Sequence, residues 1–378
     1  MSNLNDFNRE AKAALWVVLQ WLLLAVPTGL VCGAVGTAFH LSVEYVTELR
    51  AAQSWLLLCL PLAGLAIVAL YKVTKCEGVG TNNVIRAVQG GEPVSPLLVP
   101  AIFLGTVLTH LCGGSAGREG AALQMGGSIG WNVGKLLHLS DYVRRTATIS
   151  GMAAFFSALF GTPLTAAIFA MEVVSVGVMY YAAMVPCVLS SLIAFQFARV
   201  CGLHATVGYS IPDAAALSPL TMVQAAGLGV LCAIVSILFC EVMHAAPKVY
   251  ANVAPNPLIR AAMGGVLVLG LTLMVGSQDY NGAGDFVIRR LLAGETIPQA
   301  FLLKIAFTAV TLGAGFRGGE IVPVLFTGCA FGTLAGPILG LPHAFSGAMG
   351  MAAVFCGATN CPLASIILSV ELFGSAGA

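Results

Sequence analysis

Charge is missing from this sequence in long blocks. Residues 13–43, 51–71, 93–117, 146–171, 173–198, 214–240 and 261–278 contain no Lys, Arg, Asp or Glu, and a further block, 321–370, runs for 50 residues without one. One helical crossing of a bilayer takes about 20 apolar residues. Each of the seven can therefore span once, and the eighth must hold more than one crossing or a re-entrant piece. The runs are continuous rather than alternating, which argues against a β-barrel. The expected fold class is all-α, a polytopic membrane protein whose backbone groups are satisfied inside helices.

Composition excludes other classes. Only 9% of the residues are charged, against roughly 25% in soluble chains, which rules out an ordinary soluble enzyme. A net charge of +1 leaves no basic surface for nucleic acid. The 58% hydrophobic content excludes disorder. The start is polar (Asp6, Arg9, Glu10, Lys12), and the apolar stretch behind it is too long for a cleaved signal. Arg9 and Lys12 predict a cytoplasmic N-terminus, with Lys72, Lys75 and Arg86 on the same side two spans later. The 11 cysteines sit mostly in apolar runs without a CxxC pair and read as small hydrophobes. The six scattered histidines offer no zinc ligand set. No metal or other cofactor is expected.

The chain repeats itself. Residues 151–172 align without a gap to 350–371 at an offset of 199, with identities that include Gly151, Met152, Pro163, Leu164 and Glu172. The same offset lays 113–120 on 312–319, Arg118 on Arg317, while 78–86 parallels 282–289 with one residue deleted. Two halves follow, 14–200 and 218–376, joined by a connector at 201–217 that includes His204 to Asp213, with no cytoplasmic regulatory domain. In a membrane such halves are most simply antiparallel, an inverted-topology repeat.

Glycine clusters where the apolar runs break, at 78–80, 113–120, 126–128 and 313–320. A helix interrupted in a bilayer needs protein or a water-filled cavity to satisfy its freed backbone. Helix N-termini carry unpaired N–H donors and partial positive charge, so several that converge form an anion site. Close helix packing is the plainer reading for the glycines at 126–128, and helix starts or kinks for Pro163 and Pro362. Glu119, between Gly117 and Gly120, and Glu320, ahead of the 50-residue block, are acids a bilayer penalises and hence candidates for function. A carboxylate beside an anion path can occupy the site when ionised and leave when protonated, which couples proton to anion. It can also simply cap a helix or pair with a neighbouring arginine. Glu172 and Glu371 hold equivalent places in the repeat, where a capping or pairing role is expected, and Phe155, Phe156 and Phe160 read as packing. Gly113, Ser115 and Gly117 also satisfy the G-x-S-x-G pattern of serine hydrolases with His110 nearby, but the pattern requires a strand–turn–helix elbow.

Three segments carry a family resemblance. GVGTN at 78–82, GREGAALQMGGSIG at 117–130 and GGEIVPVLFTG at 318–328 resemble, in order and spacing, the signature segments of the CLC superfamily of chloride channels and proton-coupled anion antiporters. The resemblance implies two inverted repeats of broken, tilted helices and a homodimer with one pore per subunit. It implies that Glu119 is an external gating glutamate that blocks the anion path and carries a proton. It places Gly78, Val79, Gly80, Thr81, Asn82, Gly117, Arg118, Gly120, Gly319, Ile321 and Val322 on the anion path, with Glu320 on the anion and proton path.

Departures from the chloride-type pattern refine the resemblance. Val79 stands where chloride-selective members have Ser and nitrate-selective ones Pro, and Asn82 where Pro is usual. GREGA replaces GREGP, and Glu320 and Val322 replace an apolar segment. Together with GATNCPLASIILSVELFG at 357–374, these features are similar to the bacterial fluoride/proton antiporter branch. That branch implies fluoride export against proton entry across the bacterial inner membrane by a secondary transporter rather than an enzyme. Fluoride, with chloride as a second candidate, protons and the lipid bilayer are the expected partners. A chloride or nitrate transporter or channel of the same superfamily is the alternative. Family members carry a further helix whose tyrosine reaches the central anion, and no counterpart is expected before Ala378.

Overall fold

The computed structural model describes residues 2–90, 93–203, 208–209, 211, 216 and 218–374, with side chains from Val18 onward. Arg9 and Lys12 and most of the segment His204 to Asp213 thus lie outside the described side chains. The regular structure among the described residues is helical, apart from one isolated bridge. The first half contributes α1 (Ser2–Ala52), a 3-10 turn (Ser54–Cys59), α2 (Leu60–Val73), α3 (Thr81–Gln89), α4 (Leu98–Leu111), α5 (Glu119–Leu136), α6 (Asp141–Phe160), α7 (Pro163–Glu172) and α8 (Met184–Val200). The second contributes α9 (Pro219–Val253), α10 (Pro257–Val275), α11 (Asp285–Leu292), α12 (Ala300–Gly313), α13 (Ile321–Ile338), α14 (His343–Thr359) and α15 (Pro362–Phe373). The charge-free block 321–370 divides into the last three.

Local chemistry sets the boundaries. Proline occupies the first turn of α2, α7, α9, α10 and α15, where its missing N–H costs nothing. Ser218 and Asn256 cap α9 and α10 by accepting from Thr221 N (3.1 Å) and Leu258 N (2.9 Å). Gly161 ends α6 in the left-handed region (φ 69°), and Asn360, 199 residues on, ends α14 the same way (φ 57°).

The register of the repeat differs in part from the ungapped superposition. α4 and α12 are both 14 residues and α5 and α13 both 18, each pair offset by 202. The offset of 199 holds for the starts of α7 and α15. The difference falls in α6, 20 residues, against α14, 17. Gly117 is thus equivalent to Gly319, Arg118 to Glu320 and Glu119 to Ile321, while Arg317 corresponds to Ser115 rather than to Arg118. α8 has no counterpart among the described residues.

Core and periphery separate by burial. Among the described residues six segments are long and apolar enough to cross a membrane, and 78% of Ile321–Ile338 is buried inside the protein, against 28% to 39% of the most apolar stretch of the other five. α13 is therefore central, while α1, α2, α8, α9 and α10 keep an apolar outer surface for lipid. At the centre α5 packs on α6 and α13 on α14 through glycine. A Cβ at Gly126 or Gly130 would strike the carbonyls of Gly151 or Ala147, and one at Gly328 or Gly332 those of Gly350 or Ser346. The packing reading of the glycines at 126–128 matches this geometry.

The two halves also cap each other. The Glu172 carboxylate, at the end of α7, accepts from Leu363 N (3.2 Å) and Ala364 N (2.9 Å) at the start of α15. Glu371, near the end of α15, accepts from Leu164 N (3.1 Å) and Thr165 N (2.8 Å) at the start of α7. The exchange requires α7 and α15 to run antiparallel.

Candidate functional site

Three helices begin behind glycine: α3 behind the partly exposed Gly78–Gly80, α5 behind Gly117–Arg118 and α13 behind Gly319–Glu320. The last two meet directly. Gly117 and Gly319 form an isolated antiparallel bridge, each N–H donating to the other's carbonyl at 2.7 Å. A Cβ at Gly120 would lie 3.1 Å from the Gly319 Cα. Glycine is required here because two chain breaks approach backbone to backbone.

The Glu119 side chain, fully buried, folds back over this bridge. Its Oε2 accepts from Val322 N at 3.3 Å, at the start of α13, and its Oε1 has no protein partner. Any side chain at Gly117 would collide with Oε2, and a Cβ at Gly319 would stand 3.1 Å from it. A carboxylate from the first turn of α5 thus lies at the N-terminus of α13, where unpaired helix N–H groups favour negative charge. Arg118 is half-buried beside it and lines the cavity outside.

The other predicted residues are placed as follows. Ile321 is buried and Val322 half-buried in the first turn of α13. Gly78 (φ 71°) opens the turn into α3, and Asn83 Oδ1 accepts from Gly80 N at 3.1 Å. Thr81 accepts from Gln124 Nε2 (3.1 Å), which holds the start of α3 against α5, five residues beyond Glu119. Val79 O accepts from Arg317 Nη1 (3.4 Å), whose guanidinium lies 3.8 Å from the centre of the Tyr71 ring. Asn82 is exposed. The Glu320 side chain is exposed as well, with His244 and Cys240 of α9 as its electrostatic neighbours. The structure therefore brings Gly117 to Gly120 together with Gly319, Ile321 and Val322, ties the 78–82 loop in through Gln124 and Arg317, and turns Glu320 toward α9.

Several residues here were not among those the sequence placed on the anion path. His110 is buried with Nε2 3.4 Å from Gly117 O. Lys304 on α12 is fully buried and donates to Gly282 O (2.7 Å) and Tyr280 O (3.2 Å). Gln124 could have been found from its place one turn beyond GREG, but the partners of Lys304 are remote in sequence. The serine-hydrolase pattern is not built: Ser115 Oγ pairs with Thr308 Oγ1 (3.1 Å), and its segment joins two helices rather than a strand and a helix. Outside Arg118 and Val322 lies a cavity of about 760 Å³, bounded by the end of α1, the loop before α11 and Tyr209 of the connector.

Inverted halves, broken helices and a buried carboxylate at their junction define an ion-transport membrane fold. The pattern of the voltage gated chloride channel family matches residues 62–378. A chloride/fluoride channel protein of Pseudomonas syringae pv. tomato is 32% identical over 368 residues, 94% of this chain and 80% of the relative. An H(+)/Cl(-) exchange transporter, ClcA, of Vibrio vulnificus is 25% identical over 385 residues, 93% of this chain and 81% of the relative. The crystal structure of a CLC-type fluoride/proton antiporter superposes with a TM-score of 0.91 at 31% identity, covering 94% of this chain and 91% of that one. The chain belongs to the voltage gated chloride channel family and is an integral membrane protein.

Proposed function

We propose that this protein exports fluoride in exchange for inward-moving protons. One observation carries the reading: the Glu119 carboxylate sits where a bound anion would, bonded to Val322 N at the start of α13. Ionised, it satisfies the helix N-termini and excludes a second negative charge. Protonated, it loses that attraction and yields the place to fluoride, so each exchange at the site moves one species against the other. Each helix N-terminus contributes only about 0.3–1 kcal/mol, up to ~2 where partly buried. An anion held by such dipoles binds weakly enough to leave, as conduction requires.

Gly117, Arg118, Gly120, Gly319, Ile321 and Val322 form the site around Glu119, and Gly78 to Asn82 the approach from the other face. Glu320, turned toward α9, serves the proton rather than the anion. The likeness to a fluoride/proton antiporter at 31% identity supports the choice of fluoride, as does Val79, which offers no hydroxyl to a larger halide. By the same likeness the protein is a secondary transporter, not an enzyme. It works as a homodimer with one pore per subunit, in a bacterial inner membrane with its N-terminus in the cytoplasm.

Fluoride efflux from proteoliposomes, followed with a fluoride electrode beside a pH electrode, tests this. Fluoride efflux accompanied by proton uptake is expected, and Glu119→Gln should reduce the proton movement to background. Proton transport by Glu119→Gln equal to wild type would remove the gating assignment. Equal chloride efflux would favour a chloride transporter, and flux without protons a channel.

A further inference from the structure

The floor of the outer cavity contains a cation, Arg50, with no counter-ion among the described residues. Arg50, in the last turn of α1, is 7% exposed and lines the cavity with Arg118 and Asn281. Among the described residues its side chain makes one hydrogen bond, Nη1 to His110 O at 2.8 Å. Its Nε is buried without a partner, and no carboxylate of the described residues lies within the 4.0 Å of an ion pair. Burying a charge with neither counter-ion nor full hydrogen bonding is strongly unfavourable.

The surroundings keep this guanidinium in place. Asn281 Nδ2 donates to Gly113 O (2.7 Å) and Gly282 N to Gly114 O (3.0 Å), which locks the loop before α11 onto the loop before α5. Both loops present glycine to Arg50: a Cβ at Gly282 would stand 3.1 Å from Nη1 and Nη2, and one at Gly113 3.4 Å from Cδ. Lys304, a second buried cation, holds the same loop through the Tyr280 and Gly282 carbonyls. Three acids of the cavity have contacts elsewhere. Asp279 pairs with Arg290 (3.1 Å), Asp285 with Arg289 (3.3 Å) and Tyr209 Oη (2.6 Å), and Glu44 lies 3.8 Å from His40. Glu48 also lines the cavity and makes no ion pair with Arg50.

We propose that Arg50 forms a second, outer anion station on the floor of this cavity, taking a small monovalent inorganic anion. The guanidinium offers several weakly hydrated N–H donors in a fixed plane, and an anion that has passed Arg118 meets Arg50 in the same cavity. His110 links the stations physically, its carbonyl on Arg50 and its Nε2 beside Gly117 O. That the occupant is the transported fluoride rests on the function proposed above; the station itself rests on Arg50 alone.

Bromide is the probe for the site and fluoride for its use. Crystals of the full chain grown in sodium bromide should show an anomalous peak beside the Arg50 guanidinium, in wild type and in Glu119→Gln, and none there in Arg50→Met. In proteoliposomes, external fluoride should inhibit efflux about tenfold less potently in Arg50→Met than in wild type, with Arg50→Lys between them. A wild-type crystal with no bromide at Arg50 overturns the station, whether or not the Met variant folds. Unchanged inhibition in a correctly folded Arg50→Met overturns its role in export. Bromide at Arg50 in a protein that moves no fluoride would uphold the station and overturn the export reading instead.

Discussion

Glu119 and Glu320 look alike as residues: each is an acid flanked by glycine at the start of an apolar run. Their surroundings separate them. Glu119 lies inside the first turn of α5 and folds back over Gly117 and Gly319, whereas Glu320 is the N-cap of α13 and faces α9. The one-residue difference in placement sends one carboxylate to the junction and the other away from it, and nothing in GREG or GGEI announces that. Val79 is the residue-scale test of selectivity. Its backbone carbonyl is held by Arg317 and its side chain is half-buried, so a small polar replacement disturbs little else. Val79→Ser should raise chloride flux relative to fluoride several-fold, since a hydrogen bond to a charged partner contributes about 1.5–3 kcal/mol. Parallel chloride and fluoride efflux assays check it, and an unchanged ratio would count against a role for position 79.

At the scale of elements, the glycine stripes matter most. Glycines at 126, 130 and 134 on α5 recur at 328, 332 and 336 on α13, so both halves solve the same packing problem by bringing two helix backbones together. A Cβ at Gly126, Gly151, Gly328 or Gly350 would meet a carbonyl of the facing helix, and a helix backbone cannot give way as a side chain can. Gly151→Ala and Gly350→Ala should each destabilise by at least the 1–3 kcal/mol (roughly) of an overpacked core. Gly270→Ala, in α10 with nothing within 4 Å of the new Cβ, should be neutral or stabilising by about 0.5–1 kcal/mol. Thermal unfolding of the three variants in detergent gives the comparison. Helix existence was legible because a charge-free run in a bilayer has few alternatives to a helix. Register was less so: identities at an offset of 199 continue through glycine-rich sequence, and only equal helix lengths show that α4, α5, α12 and α13 follow 202.

At the scale of the whole molecule, α7 and α15 hold the halves in their inverted relation. Glu172 and Glu371 each satisfy two backbone N–H groups that a helix start otherwise leaves unpaired. Glu172→Ala and Glu371→Ala should each cost about 1–3 kcal/mol, and the double variant roughly the sum, measured as the shift in thermal unfolding of the detergent-solubilised protein. Loss of stability in one variant only would mean that the two caps are not equivalent. The sequence by itself determined that the chain is helical, crosses the membrane repeatedly and is built twice over. Those properties follow from local solvation and from identities between segments, and both can be counted along the chain. Tertiary structure decided which acid reaches the junction, which glycines touch backbone, and that Arg50, His110 and Lys304 gather around the loops at 113–117 and 280–284. Those relations join different helices and loops, as Lys304 with Gly282, Arg50 with His110 and Glu119 with Val322, 22, 60 and 203 positions apart, through helix lengths and packing distances that no single segment carries.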